Sequence, residues 1–428
     1  MTTLLTFNDI KTDLTKICTH LRLLVDTPGP TRCIAKLLDN FDPRINQNEE
    51  FLMFQTIQGI IDEFNKEIGV KIHLKQHNGN IIIAGGFDKK PTDDEIKDIP
   101  ITLASHADEI SFLVKKKGYQ DDTSYREVLP LCATKFLVDQ GFIHKEVEIY
   151  GFRNIEDIQK FVKVGVTSIF MELDKEKKPH FFIRTSIEMG IPLLEGDIVI
   201  QKYDNTDHNV YNLDTIFHCK ALDDRIGILC DLYTIFYLTK YTKYKSKAIL
   251  VGDEEGVPSD TSWARLVNPT FNNFCRKDGI ILICDGIDGF SMREFPEFKR
   301  VHEAIIIPYT SDGKGGGDHG LFSILRDKVL HKINHSKINF KAVTCTDYTS
   351  RSLDPKIMDN FPLIGFIDWS NGPVHPSAED PEDILDEISK QYYYLSKCHV
   401  DESVSIRQVL NIIGTNFYAF LELHKSYN

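Results

Sequence analysis

The order of apolar runs along this 428-residue chain predicts an α/β protein, an open mixed sheet covered by helices on both faces. A small all-β unit interrupts that sheet. Two observations carry the prediction. Helix-like and strand-like runs alternate from about residue 214 to the end, whereas Lys115 to Asn212 is made of short β-rich runs separated by turns. Strand signals also precede that stretch, so α/β material lies on both sides of it. The spacing divides the chain at 1–114, 115–213 and 214–428, with the outer two segments forming one domain.

The first 65 residues read as helical, with Ile17, Leu21, Leu24 and Val25 on one stripe and Phe51, Phe54, Ile57, Ile60 and Ile61 on another. Val70 to Leu74 alternates as a strand does, and His77-Asn78-Gly79-Asn80 turns into Ile81 to Ala84. Lys89 to Ile99, charged and holding a proline, reads as a surface loop, and Ile101 to Ala104 as a short buried strand. In the β-rich stretch the strand signals are Glu146–Tyr150, Ser168–Leu173, Phe181–Arg184 and Asp197–Gln201, spaced for a barrel or a sandwich. Ile155 to Val162 is helix-like within it. Afterwards come a helix over Asp224–Tyr241 and strands at Lys247–Val251, Ile280–Cys284 and Ala304–Ile307. A helix over Leu321–Ile333 and strands at Phe340–Thr344 and Leu363–Asp368 follow, with closing helices near 380–397 and 405–423.

Composition excludes several classes. Lys and Arg total 50 against 63 Asp and Glu, a net charge of −13, and no basic stripe offers a nucleic-acid footprint. The longest apolar stretch, Ile226 to Leu238, is broken by Asp231 and falls short of the roughly 20 residues a membrane span needs. The amino terminus has neither the basic region nor the cleavage site of a signal peptide. Nine scattered cysteines without a Cys-x-x-Cys pair suit reduced core thiols. The expectation is a soluble cytoplasmic protein.

Five strings can carry chemistry. Ser105-His106-Ala107-Asp108-Glu109 ends a strand, and period-2 geometry puts His106 and Asp108 on one side. Lys220-Ala221-Leu222-Asp223-Asp224-Arg225-Ile226-Gly227 opens a helix; one acid can cap it while the other faces a cation. Gly252-Asp253-Glu254-Glu255-Gly256 places three acids after a buried strand, where like charges repel unless a cation or proton relieves them. Asp285 follows another apolar strand, and His375 lies in Gly372-Pro373-Val374-His375 after a third. Each has an ordinary reading as a polar strand end, a cap, a solvated acidic loop, a turn residue or a loop histidine. Together they occupy the rim where open α/β sheets bind ligands. Their histidines and carboxylates match a site for two divalent cations about 3.5–4 Å apart. Donors without thiolate favour zinc, cobalt or manganese.

These strings, in this order, resemble the glutamyl and deblocking aminopeptidases that form tetrahedral particles, the cellulase M-like dinuclear metallopeptidases. Asn78-Gly79-Asn80, Gly190-Ile191-Pro192 to Gly196-Asp197, and Thr346-Asp347 extend the likeness over roughly residues 15 to 400. The stretch after Glu255 departs from the family form, as does Ser370 to Val374 before His375. The resemblance implies a zinc-peptidase-like fold with an inserted β-barrel for dimerisation and assembly. It also implies two metal ions per subunit, zinc foremost and cobalt or manganese as alternatives. His106, Asp223, Glu255, Asp285 and His375 would be the ligands, with Asp223 bridging. Glu254 would be the general base acting on a metal-bridged water, and Asp108 would support His106. His319, in Gly315-Gly316-Gly317-Asp318-His319-Gly320, is a second choice for the last ligand. The implied activity is removal of the amino-terminal residue from peptides with a free amine by a homo-oligomer, a dodecamer in the family. A different dinuclear amidohydrolase (carboxypeptidase or deacylase) and a catalytically silent scaffold are the alternatives.

Overall fold

A computed structural model describes residues 4–29, 52–119, 122–131, 146–155, 158–175, 179–185, 191–202, 211–252, 268–287, 302–307, 321, 323–344, 363–370 and 402–427. The chain opens with helices α1 (Phe7–Thr12), α2 (Leu14–Asp26) and α3 (Leu52–Glu67). Of the residues expected on their apolar stripes, Ile17, Leu21, Leu24 and Val25 in α2 and Phe54, Ile57, Ile60 and Ile61 in α3 are buried, and Phe51 lies outside the described residues. A hairpin follows, β1 (Lys71–His77) and β2 (Asn80–Phe87), turning through Asn78 and Gly79 at φ 47° and 86°. The expected loop at 89–99 contains α4 (Asp93–Lys97), a correction. Its signal is the capping box Thr92-x-x-Glu95; with Ile96 as its one buried residue, the turn shows no apolar stripe.

After β3 (Ile101–His106) come β4 (Ser111–Tyr119), β5 (Asp122–Pro130), β6 (Glu146–Ile155), β7 (Ile158–Leu173), β8 (Pro179–Arg184) and β9 (Ile198–Gln201). These last six close into an antiparallel barrel in the order β4-β5-β8-β7-β6-β9, so of the two architectures the spacing allowed, it is the barrel. Phe112, Val128, Val147, Ile149, Phe181, Ile183 and Val199 pack in one core within it. The helix-like piece at 155–162 is corrected, its described residues being paired antiparallel strand, with Ile155 opposite Ile158 and Val162 opposite Gly151. Its three-and-four spacing of apolar residues imitates a helix, but pairing across the sheet outweighs that local preference.

The chain then forms β10 (Ile216–Cys219), α5 (Leu222–Tyr241), β11 (Ser246–Val251), α6 (Asn268–Phe274), β12 (Ile280–Ile283), β13 (Gly286–Ile287) and β14 (Ala304–Ile307). Next are α7 (π-wound Ile324–Leu330 running into His331–Ile333), β15 (Ala342–Thr344), β16 (Leu363–Ser370), β17 (Glu402–Ser405) and α8 (Ile406–Tyr427). The expected helix near 380–397 lies outside the described residues.

A mixed nine-stranded sheet has the order β1-β2-β11-β3-β12-β16-β14-β15, with β13 paired to β16. Its centre, β11-β3-β12-β16, is parallel. Alternate residues feed two cores, as strands buried on both sides require. Ile101, Leu103, Ala248, Leu250 and Leu282 join the core of α2, α3, α5 and α8, while Ala104, Ile249 and Ile281 join Ile96, Phe271 and Phe274 of α4 and α6. Helix α5 is buried along nearly its whole length, between the sheet and its helical neighbours α2 and α8. Among the described residues no helix is long and apolar enough to cross a membrane. The five described cysteines, Cys18, Cys219, Cys230, Cys275 and Cys284, are free and buried.

Candidate metal centre

Parallel pairing of β3 with β12 sets Ile283 beside Ala104, so His106 and Asp285, each two residues further on, reach the same rim. The turn into α5 brings Asp223 to them. His106 Nε2 lies 3.3 Å from Asp223 Oδ1 and 3.9 Å from Asp285 Oδ1. One donor atom from each of the three residues falls within 4.8 Å of the others. Asp108 Oδ1 stands 3.4 Å from the other ring nitrogen, Nδ1, a charge contact longer than a hydrogen bond. A carboxylate there favours the tautomer that leaves Nε2 as an acceptor facing the two aspartates.

The start of α5 separates the roles of its paired acids. Asp223 and Asp224 have left helical geometry, at φ/ψ −83°/104° and −118°/49°, and Ala221 is left-handed at φ 52°. Asp224 Oδ1 accepts the Gly227 N–H at 2.8 Å, which caps the helix. Trp369 Nε1 donates to the same oxygen at 3.3 Å, and the His106 N–H donates to Oδ2 at 3.4 Å. A Cβ at Gly227 would lie 2.1 Å from that carboxylate, so only glycine admits the cap. Asp223 turns the other way, into the cluster, while its own N–H donates to Glu402 Oε2 at 2.9 Å. Gly286 lets its carboxylate approach, since a Cβ there would stand 3.1 Å from Asp223 Oδ1. One acid caps and the other faces the centre, as the doubled Asp suggested.

Buried groups support this arrangement. Glu109 Oε1 accepts the Gly29 N–H at 2.8 Å and lies 3.4 Å from Arg225 Nη2, while Oε2 lies 3.2 Å from Lys220 Nζ. Arg225, fully buried, donates to the carbonyls of Leu24 and Ala107. Asp368 Oδ1 accepts the Asp285 N–H at 3.1 Å. Burial, then the neighbouring Asp285 charge, pushes the Asp368 carboxyl well above the usual carboxylate range. Asp224 is raised in the same direction, by burial first, with His106 opposing and Asp285 and Asp223 adding to it. Asn80, also buried, accepts the Gly252 N–H at 3.0 Å and donates to Thr270 Oγ1 at 2.9 Å. It thereby pins the end of β11, from which Asp253, Glu254 and Glu255 follow.

Of the residues singled out from sequence, His106, Asp108, Asp223 and Asp285 come together. Glu254, Glu255, His375 and His319 lie outside the described residues. Sequence reasoning missed Glu402 and Asp368. Asp368 carried a signal, an acid inside the apolar run of β16. Glu402 carried none, standing 179 residues from the N–H it binds.

The donor set fits a divalent metal. Four-coordinate zinc with bonds of about 2.0–2.1 Å spaces its donors about 3.3 Å apart. His106 Nε2 and Asp223 Oδ1, 3.3 Å apart, match that spacing; Asp285 Oδ1, 3.9 Å from the ring nitrogen, stands wider, so an ion would draw it inward to join one imidazole nitrogen and two carboxylate oxygens as donors.

No protein-family model matches this sequence, and no curated protein does. The fold is nevertheless shared with solved structures. A TET aminopeptidase from the marine sediment archaeon Thaumarchaeota archaeon SCGC AB-539-E09 superposes with a TM-score of 0.59 at 13% identity, over 97% of this chain and 99% of that one. The TET1 peptidase of Pyrococcus horikoshii, which assembles into a tetrahedron or a large octahedral shell, gives 0.55 at 14%, over 94% and 98%. Yeast aminopeptidase 1 gives 0.56 at 10%, over 97% and 98%. The neighbours sharing this fold thus include the group that the sequence motifs resemble.

Proposed function

We propose that this chain is a metal-dependent aminopeptidase that removes the amino-terminal residue of peptides with a free amine. The convergence of His106, Asp223 and Asp285 on one rim of a sheet whose structural neighbours are aminopeptidases carries the reading. His106, Asp223 and Asp285 would hold metal, and the motif resemblance adds Glu255 and His375, for two divalent ions in all. Zinc is the first choice, with cobalt or manganese next. Ions bound there supply Lewis acidity toward the scissile carbonyl and make water a stronger acid.

The protein's own groups do the rest. Asp108 orients His106 through Nδ1. Glu254, two residues on in sequence from the Gly252 that Asn80 holds, takes the proton of the attacking water and delivers it to the leaving amine. Residues 115–213 form the inserted module through which copies assemble, as the motif resemblance implies, and residues 1–114 and 214–428 form the catalytic domain. The protein works in the cytoplasm.

The test is a panel of aminoacyl amides, free and acetyl-blocked, assayed after chelation and reloading with zinc, cobalt or manganese. Cleavage of the free-amine series is expected. Glu254→Gln should keep its metal content while turnover falls by about 10²–10⁴. Cleavage confined to blocked substrates would replace this reading with a deacylase, and no cleavage under any loading would leave a silent scaffold.

A further inference from the structure

We infer that Glu402 is a positioning residue for Asp223, setting from the far end of the chain where that carboxylate stands in the metal centre. The inference rests on the metal-site reading above. Strand β17 pairs antiparallel with β10 in a two-stranded sheet separate from the main one, and the register sets Glu402 opposite Cys219. From there its side chain, 2% exposed, spans the turn that begins at Lys220 and accepts the Asp223 N–H at 2.9 Å.

That N–H lies where the chain has left helical geometry, so the helix does not dictate its direction. Holding the Asp223 N–H fixes where its side chain starts, leaving χ1 and χ2 to place Oδ1. An acceptor fixed on the N–H side therefore limits how far Oδ1 can drift from His106 Nε2, 3.3 Å away, and from Asp285. Glu402 also adds negative charge near the buried Arg225, which anchors the start of α5. Groups that orient a metal ligand in this way change metal affinity by about 10–100-fold when removed.

Two substitutions separate reach from charge. Glu402→Gln keeps an oxygen at the same reach and loses the charge, whereas Glu402→Asp keeps the charge and draws the acceptor back by about 1.5 Å. Both are small enough to be verified as folded by circular dichroism. Cobalt affinity is read by titration against a competing chelator, and donor geometry by the visible absorption of bound cobalt. Glu402→Gln should bind close to wild type with an unchanged spectrum, and Glu402→Asp about 10–100-fold more weakly with an altered one. Equal losses in the two variants, or no loss in Glu402→Asp, would overturn the positioning role while leaving the metal site intact. Failure of the wild type itself to bind cobalt would remove the metal-site reading, and this inference with it.

Discussion

Replacing Asp223 by asparagine keeps shape and main-chain bonds while deleting one charge from the centre, so it isolates the electrostatics. Donor oxygens of Asp223 and Asp285 lie within 4.8 Å, where two unit charges repel by about 3.5 kcal/mol at an effective dielectric of 20. Wild-type side chains relax around part of that repulsion, so only a fraction of it is recovered. Without metal, Asp223→Asn should therefore be as stable as wild type or more stable, by about 1–2 kcal/mol.

With cobalt the order reverses. At a thousandfold excess over its dissociation constant, cobalt stabilises the wild type by about 4.1 kcal/mol. A hundredfold weaker site at the same cobalt concentration would give the variant only about 1.4 kcal/mol. Urea unfolding followed by circular dichroism, with chelator and with cobalt, measures both quantities. A metal-free variant clearly less stable than wild type, or an undiminished cobalt shift, would refute the idea that Asp223 is held for a cation.

Gly227→Ala should destabilise the protein by about 2–3 kcal/mol in urea unfolding. A Cβ 2.1 Å from Asp224 expels the cap, and the lost cap and unsatisfied buried groups outweigh the alanine's helix propensity. Lys247 is fully buried, and its ammonium donates to the carbonyls of Ile96, Lys97 and Phe274 at the ends of α4 and α6. Burial lowers its pKa from 10.5 to about 8. Between those values the unfolded chain holds the proton and the folded one does not, so the cost of burying the charge, full below pH 8, fades as pH rises. Stability of wild type relative to Lys247→Met should accordingly increase from pH 8 to pH 10.5, by up to about 3 kcal/mol. A flat difference across that window would contradict the assignment.

Much of the fold is legible locally because burial acts residue by residue. Alternation marked β1, apolar runs marked β2, β3, β11 and β12, period-3.6 stripes marked α2 and α3, and the ends of β3 and β12 pointed to His106 and Asp285. Two local patterns misled. Thr92 to Lys97 forms a helical turn with too little apolar surface to show a stripe. Ile155 to Val162 has helical spacing, yet its described residues are strand, because their partners across the barrel decide their conformation. For the site, residue type and order were enough to nominate His106, Asp108, Asp223 and Asp285 together.

What the sequence by itself determined is the set of chemical groups and their places just beyond strand ends, since alternation and capping are properties of neighbouring residues. Only the tertiary structure decided what holds each of the paired acids in its role, Asp224 on the helix and Asp223 at the centre. That depends on Gly227 and Trp369, which claim Asp224, and on Gly286, which leaves room for Asp223. It also decided that Glu402 and Asp368 hold the main chain of Asp223 and Asp285. A hydrogen bond between groups up to 179 residues apart leaves no periodic trace in the chain, because it exists only once the sheet has brought its two ends together.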